Sequence, residues 1–436
     1  MGLRRSVKKI IPKNVFQRIE PTGHLAEAVL FQTINRFPAH NLKVIGVTGT
    51  NGKTTTCFLI HRMLHDAGYK VGLMTTVGYG AGMDIKPQIE HMTNMPVPAF
   101  LDRIKELKAQ GVEWLVLETT SHALAQHRVW SIPYSIAVFT NITHEHLDYH
   151  GTFERYLAAK RRLFTQTNHN LQGYRTGVIN ADDPSASKFA KSIAHPVTYG
   201  IKSGVVRAHD VKLRPNGVSY RASVEGDSYQ IKCHIPGSFN VYNSLAALTV
   251  GRTMGLTKSQ IEQGIAALEG VEGRMTKIDE GQNFTLVVDF AHTPDSFERL
   301  FKDLRPIVKG KLIVLFGSAG RRDEAKRAIQ GKLAGSYADE VIITEEDDRD
   351  VDPQEILNAI AEGVKSQGKK LDSDLFIIGN RTEAINFAVT RATSTEDMVL
   401  FLGKGHEKTI ERADGEHPWN EIETAKSALK ILLNKK

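Results

Sequence analysis

The sequence predicts an α/β protein: a P-loop domain whose mostly parallel sheet carries an antiparallel subregion, followed by a Rossmann-like C-terminal α/β domain. Three observations predict it. Short apolar runs alternate with helical periods from residue 42 onward, the pattern of a parallel sheet covered by helices. One of those runs opens into a glycine-rich loop and then a helix. After "GVEGRM" at 270–275 the alternation begins afresh, which places a boundary near residue 275. The parts are then a basic N-terminal extension at 1–39, a first domain at 40–275 and a second at 276–436.

Taken in order, the first strand is "LKVIGVTG" (42–49). It is followed by "WLVLETTS" (114–121), "SIAVFTNI" (135–142) and "TGVINADD" (176–183), each apolar and each ending in a polar loop. Residues 196–235 carry short alternating segments around "PNG" and "EGD" turns and read as antiparallel hairpins. "GSFNVYNSLAALTVGRTMGL" (237–256) returns to helix. The second domain has strands "FTLVVDF" (284–290), "KLIVLFG" (311–317), "EVIITEE" (340–346), "LFIIGN" (375–380) and "MVLFLGKG" (398–405).

Composition narrows the function class. The chain has 436 residues, 41% hydrophobic and 24% charged, as in a soluble globular protein of two or three domains. No apolar run approaches the roughly 18 residues of a membrane-spanning helix. Cys57 and Cys233 are its only cysteines, which excludes a disulfide scaffold and a thiolate zinc site and fits a reducing cytoplasm. A net charge of +7 suggests a nucleotide, a polyphosphate or a membrane surface as partner, and nucleic acid is not among the partners read here. Part of that charge is local, since Arg4, Arg5, Lys8, Lys9, Lys13 and Arg18 all precede the first acid, Glu20. Leu3, Val7, Ile10 and Ile11 sit among them at helical spacing, although Pro12 interrupts the run. Residues 1–20 therefore read either as an amphipathic segment on a membrane or as a solvated arm. "MGLRRS" also matches the short myristoylation pattern, and there is no signal-peptide core.

"GVTGTNGKTTT" (46–56) is the phosphate loop. Glycines let backbone N–H groups approach phosphate oxygens, and the helix N-terminus favours their charge. Gly49, Thr50, Asn51, Gly52, Lys53, Thr54 and Thr55 would wrap the phosphates of ATP, with Lys53 on the terminal ones and the Thr54 hydroxyl on Mg²⁺. Val47 stands where the strict pattern has its first glycine. Glu118, at the tip of its strand, is placed to be a Mg²⁺ ligand. "TNITHEHLDYHGT" (140–152) supplies His144, His146, Asp148 and His150 for metal binding or proton transfer. In "TFERYLAAKRRLF" (152–164), Lys160 falls on the apolar stripe of Phe153, Tyr156, Leu157 and Phe164. Such a lysine snorkels, pairs with an acid or is chemically modified.

"GTNGKTTT", "ETTSHALAQHR", "HEHLDYHGT", "AAKRRLF", "GSFNVYNSLAA", "VEGRM", "DFAHTPDS" and "LGKGHE" occur in the order typical of Mur ligases. Across roughly residues 40–410 the chain most resembles the E-type, UDP-N-acetylmuramoyl-tripeptide synthetase branch. The resemblance implies an ATP-dependent amide-bond ligase of cell-wall (peptidoglycan) synthesis. A UDP-muramoyl dipeptide would be activated as an acyl phosphate and joined to a free amino acid.

Carried over residue by residue, it implies that Lys53, Glu118, His146 and Lys160 are catalytic. Thr54, Glu118, His146 and Lys160 would hold metal, Lys160 as a carbamate. Asn243, Arg274 and Asp289 match ATP contacts, and Thr93, Asn94, Thr120, Gln126 and Arg128 match acceptor contacts. Thr119 and Thr120 replace the usual "VS", and "HMTNMP" departs from the common "TTP". Family members carry a uridine-binding domain before the P-loop, where this sequence has residues 1–39. The expectation is an acceptor held differently or linked to lipid.

In the second domain the loops "GSAGRRDEAKR" (317–327), "TEEDDRDVDP" (344–353) and "GKGHEK" (403–408) should form one crest at the strand ends. By itself the acidic run 344–353 could hold a metal, meet a cationic substrate or face water. The resemblance makes it the amino-acid-selecting loop. Glu346, Asp347, Asp348 and Arg349 align with the family's Asp-Asn-Pro-Arg, and Arg322, Asp347, Arg349, Gly403 and Glu407 fall at amino-acid contacts. Arg349 favours meso-diaminopimelate, whose second carboxylate it can pair, over L-lysine. The chain is read as a monomer. Rival readings are a folylpolyglutamate synthetase-like ligase and a nucleotide-binding scaffold that does not ligate.

Overall fold

The computed structural model describes residues 13–88, 92–214 and 216–434. The side chains of residues 13–21 and of Asp148 lie outside that description, as do Arg4, Arg5, Lys8 and Lys9 of the basic arm at 1–20. Two compact units emerge: Met1–Val211 with Tyr220–Lys232 and Tyr242–Ala267, and Lys212–Ser219 with Cys233–Val241 and Leu268–Lys436.

The first unit holds the bulk of an eleven-stranded sheet. Its strands are β1 (Lys43–Thr48), β2 (Val71–Met74), β3 (Gly78–Ala81), β4 (Asp84–Pro87), β5 (Trp114–Glu118), β6 (Tyr134–Phe139), β7 (Thr176–Asn180), β8 (His195–Gly200), β9 (Val206–Arg214), β10 (Gly217–Val224) and β11 (Asp227–Cys233). They run in the order β11-β10-β9-β8-β7-β6-β1-β5-β2-β3-β4. From β2 through β9 the pairs are parallel, and β2-β3-β4 is an antiparallel turn-back. β5 and β6 are buried at every position, as strands covered on both faces must be, whereas β9 alternates buried and open residues.

The stretch 196–235, expected to be hairpins throughout, is therefore only partly so. β8 continues the parallel sheet beside β7 and β9 joins β8 in parallel. Only the short turns from β9 to β10 and from β10 to β11 have the length of antiparallel connections. The helix Lys13–Ile34 was not legible in the sequence. Its second half is built into the first unit, with Ala28 in the core and the Gln32 side-chain amide donating to the Trp130 carbonyl at 2.9 Å. Phe100, Leu101 and Ile104 of the helix Val97–Ala109 and Leu163 and Phe164 of the helix Phe153–His169 fill that core against Leu115 and Leu117.

The second unit has β12 (Thr276–Ile278), β13 (Thr285–Asp289), β14 (Leu312–Phe316), β15 (Glu340–Ile343), β16 (Leu375–Ile377) and β17 (Met398–Leu402), in the order β12-β13-β17-β14-β15-β16. All its pairs are parallel except β12 with β13. The C-terminal ends of β14, β15 and β17 thus lie along one edge and carry the loops at 317–324, 344–352 and 403–408. A hairpin of β18 (Thr409–Arg412) and β19 (Gly415–Pro418) follows. The helices Ala325–Tyr337 and Pro353–Lys365 pack closely, because a Cβ on Gly331 or Gly363 would fall on the carbonyl oxygen of Ile360 or Ala328.

Candidate active site

β1 leads directly into the phosphate loop, and the helix Lys53–Asp66 leaves it. No side chain caps that helix and no acid lies in its first turn, so its N-terminus keeps the positive end of its dipole open to an anion. Gly52 occupies the left-handed region at φ 84°, and a Cβ there would meet Asn243 Oδ1. A Cβ on Gly49 would meet Thr140 Oγ1. The loop is braced by the connection after β6. Thr140 Oγ1 and the Asn141 amide donate to the Asn51 carbonyl at 2.7 and 2.9 Å, and Asn51 N–H donates to Asn141 Oδ1 at 3.0 Å. Lys53 Nζ folds back onto the Thr50 carbonyl at 2.7 Å, where a phosphate oxygen could replace it.

The Thr54 hydroxyl donates to Glu118 Oε2 at 2.9 Å, and the same oxygen accepts Thr76 N–H at 3.1 Å. Both residues are buried. Lys160 is 2% exposed and donates to the Gly49 carbonyl at 2.6 Å, with its Nζ 4.5 Å from the centre of the Tyr156 ring. Burial, then the nearby charge of Lys53, hold its amine well below the ordinary lysine range, against the pull of Glu145 and Glu118. The lysine does not snorkel. Tyr156 Oη meets Thr50 Oγ1 at 3.0 Å and so ties this helix to the phosphate loop.

Among the histidines, His146 sits in the left-handed region at φ 56°, with its ring centre 4.7 Å from that of His122 and 6.1 Å from that of Tyr156. It therefore shares the Tyr156 ring with Lys160. His150 is buried with Nε2 3.0 Å from Ser121 Oγ, and His144 stacks on Phe153 at 4.9 Å. Among the described residues no three His, Cys, Asp or Glu side chains converge on one point.

The residues expected to hold the acceptor come together around Asn94. Its amide donates to the Glu118 carbonyl at 2.8 Å, and its Oδ1 accepts both the N–H and the hydroxyl of Thr120 at 3.0 Å. Arg128 Nη1 donates to the Asn94 carbonyl at 2.7 Å and Nη2 to the Gln126 side chain. Thr93 Oγ1 lies 2.7 Å from Thr76 Oγ1.

Of the remaining nucleotide positions, Asn243 accepts the Thr56 hydroxyl at 3.3 Å in the first unit. Arg274 and Asp289 belong to the second. The Arg274 guanidinium lies 4.5 Å from the Phe290 ring centre, and Asp289 accepts the N–H groups of Met275 and Ala291 at 2.8 and 2.7 Å. Burial pushes the Asp289 carboxyl up, and Arg274 opposes it.

The acidic run 344–353 does not face water as a whole, and among the described residues its carboxylates form no metal-type cluster. Glu345, Glu346, Asp347 and Asp348 are all buried. Glu345 takes both Nε and Nη2 of Arg412 at 2.9 Å, and Asp347 takes Lys404 at 2.8 Å and Glu411 N–H at 2.9 Å. Lys404 also meets Glu407 at 2.6 Å. Glu346 packs where Gly403, at φ 101°, has no Cβ. Burial, with Glu345 and Glu346 beside it, pushes the Asp348 carboxyl up to about 6. Arg349, expected to await a substrate carboxylate, already donates from Nε to Glu411 at 2.8 Å and from Nη1 to the Gly320 carbonyl at 2.8 Å. Arg322 is exposed on the neighbouring loop. The partners Glu411 and Arg412 come from the β18–β19 hairpin, which sequence reading missed. Its signal is Asp414-Gly415: Ala413 and Asp414 make the two-residue turn, and Gly415 opens β19 at φ 129°.

A family model of the Mur ligase middle domain matches residues 47–251, and one of the Mur ligase glutamate ligase domain matches residues 273–405. The chain belongs to the Mur ligase family. A UDP-N-acetylmuramyl-tripeptide synthetase of Roseiflexus sp. (strain RS-1) is 39% identical over 424 residues, covering 94% of this chain and 82% of the relative. A UDP-N-acetylmuramoyl-L-alanyl-D-glutamate--2,6-diaminopimelate ligase of Geobacillus thermodenitrificans (strain NG80-2) is 39% identical, covering 90% and 80%. Among solved structures, one of a UDP-N-acetylmuramoyl-L-alanyl-D-glutamate--2,6-diaminopimelate ligase superposes with a TM-score of 0.63 at 29% identity, covering 95% of this chain and 83% of that one. A Mycobacterium tuberculosis folylpolyglutamate synthase complexed with ADP gives a TM-score of 0.69 at 16% identity, with 94% of each chain covered, a likeness of fold alone. As a Mur ligase the protein is an ATP-dependent ligase of peptidoglycan synthesis.

Proposed function

We propose that this Mur ligase adds a free amino acid, meso-diaminopimelate in preference to L-lysine, to a UDP-N-acetylmuramoyl-L-Ala-D-Glu-type acceptor. One observation carries the reading: Glu118 belongs to both halves of the site. Its carboxylate holds Thr54 of the phosphate loop, and its main-chain carbonyl holds Asn94 of the acceptor cluster. A terminal phosphate and an acceptor carboxylate would therefore lie side by side, as in-line phosphoryl transfer requires. The phosphoryl group passes from ATP to the acceptor carboxylate, leaving ADP and an acyl phosphate. The amine then attacks the acyl carbon and displaces phosphate as the amide forms, with loss of one proton.

The hydroxyl of Thr54 and the carboxylate of Glu118 are hard oxygen donors 2.9 Å apart, a set that suits Mg²⁺, with His146 as the further ligand the family pattern implies. Mg²⁺ would supply charge neutralisation for the phosphates. Lys53 would leave the Thr50 carbonyl for the moving phosphoryl group. The downward shift of the Lys160 amine favours attack on CO₂, which would give a carbamate with release of a proton and so add an anionic ligand.

The decisive assay is amino-acid-dependent release of phosphate from ATP with a panel of acceptors and amino acids. Release that needs a muramoyl dipeptide supports the reading. Release with a folate and glutamate would replace it by the folylpolyglutamate synthetase-like one, and no release by the scaffold. For meso-diaminopimelate, Arg349→Ala should weaken its use far more than that of lysine, and equal losses would defeat the preference.

The chain is read as a cytoplasmic monomer that touches membrane through residues 1–20. No helix of the described residues is long and apolar enough to cross a membrane. The helix continuing the basic arm does expose Val29, Leu30 and Ile34, with Phe37 just beyond it, at 38–64%. An apolar face following a basic segment suits an anionic lipid surface. Equal pelleting with anionic vesicles, with and without residues 1–20, would sink that contact.

A further inference from the structure

Arg327 lies in the first turn of the helix Ala325–Tyr337 and is 2% exposed. Among the described residues its Nε and Nη2 are buried without a hydrogen-bond partner. Nη1 reaches Glu355 Oε1 at 3.5 Å, but that carboxylate is 61% exposed and turned largely to water. Other buried cations of the same unit are treated quite differently. Arg381 has Glu421 on Nε and Nη2, the Leu402 carbonyl also on Nη2 and the Glu345 carbonyl on Nη1, and Lys404 has Asp347 and Glu407. A guanidinium removed from water and left unpaired is costly, so a folded protein holds one only for a partner.

The surroundings ask for an anion as well. Glu355 lies in the first turn of the helix Pro353–Lys365, so the guanidinium sits between two helix N-termini, both favourable to negative charge. Asp352 caps the second helix, and on the first the Asp323 carboxylate takes the Ala325 N–H at 3.1 Å, which leaves the guanidinium itself as the open donor.

We propose that a small anion, chloride or a carboxylate, binds on the Arg327 guanidinium between the first turns of these two helices. They follow β14 and β15, so the loops that precede them belong to the crest where the incoming amino acid is expected. The carboxylate can therefore come from that amino acid, a source that rests on the ligase reading, whereas a free anion does not.

The test uses the full chain and Arg327→Met, both exchanged into isethionate, a sulfonate that is neither chloride nor a carboxylate. Chloride replaces isethionate at constant ionic strength in one arm, and meso-diaminopimelate is added in the other, with thermal unfolding as readout. Wild type should gain about 2–4 °C in one arm or both. Arg327→Met should lose that response, and in isethionate it should be at least as stable as wild type, since it removes a buried cation with two nitrogens left without a partner. Bromide soaked into wild-type crystals should give an anomalous peak at the guanidinium if the anion is free. A response to the amino acid alone assigns the site to its carboxylate. Wild type indifferent to both anions, an equal response from Arg327→Met, or Arg327→Met less stable than wild type in isethionate, would overturn the proposal. Arg327→Lys, which keeps the charge, should retain a weaker response.

Discussion

The phosphate-loop site and the crest of the second unit spend charge in opposite ways. Around the phosphate loop the charged groups rest on neutral partners: Lys53 and Lys160 on main-chain carbonyls, Glu118 on a hydroxyl and an N–H. Each has capacity left for phosphate or metal. At the crest several charges are already matched, Arg412 with Glu345, Lys404 with Asp347 and Glu407, Arg349 with Glu411. A ligand at the first site fills open valence. One at those pairs must trade partners, so Arg349 would have to leave Glu411 to take a substrate carboxylate.

The largest expected effect attacks the open-valence side. Removing dissolved CO₂ should cut amino-acid-dependent ATP hydrolysis by about 10²-fold, and bicarbonate should restore it, while Lys160→Met should be inactive with or without bicarbonate. Full activity in CO₂-free buffer would leave Lys160 an ordinary buried amine. On the matched side, Glu421→Ala strands the fully buried Arg381 and should cost about 3–5 kcal/mol in urea unfolding of the second unit. A loss below about 1 kcal/mol would mean that the pairs are not mutually dependent.

A smaller effect separates the halves of the first site. Asn94→Ala removes the link from Glu118 to Thr120 and should raise the acceptor KM about tenfold with the ATP KM unchanged. Equal shifts in both would show one undivided pocket. The smallest concerns Asp348, whose carboxyl stands at about 6 against about 3.9 in an unfolded chain. The folded state then binds more protons, so this group's stabilising contribution is present below about pH 4 and is lost as pH rises through 6. Asp348→Asn should match wild type in acid and exceed it at pH 7 by about 1 kcal/mol, a figure reduced for partial solvent screening. Parallel stability–pH curves for the two proteins would contradict it.

Sequence alone determined the phosphate loop, the strand that ends in Glu118 and the inward position of Lys160, because period and order express them locally. It also placed β1, β5, β6 and β7 of the first unit and β13 to β17 of the second, but not the parallel strands β2, β8 and β9. It could not decide that Asn94 is the hub of the acceptor cluster, since its partners stand 24 and 26 residues away. Nor could it decide the state of Lys160, which depends on burial and on Lys53 brought close by the fold. The acidic run at 344–353 is the plainest case. Its composition suggested open charge, but its partners Glu411, Arg412 and Lys404 arrive from more than fifty residues downstream, on the end of β17, two strands away, and the hairpin that follows it. Charges acquire their meaning from what is folded against them, and a linear pattern carries only the part that lies within a turn or two.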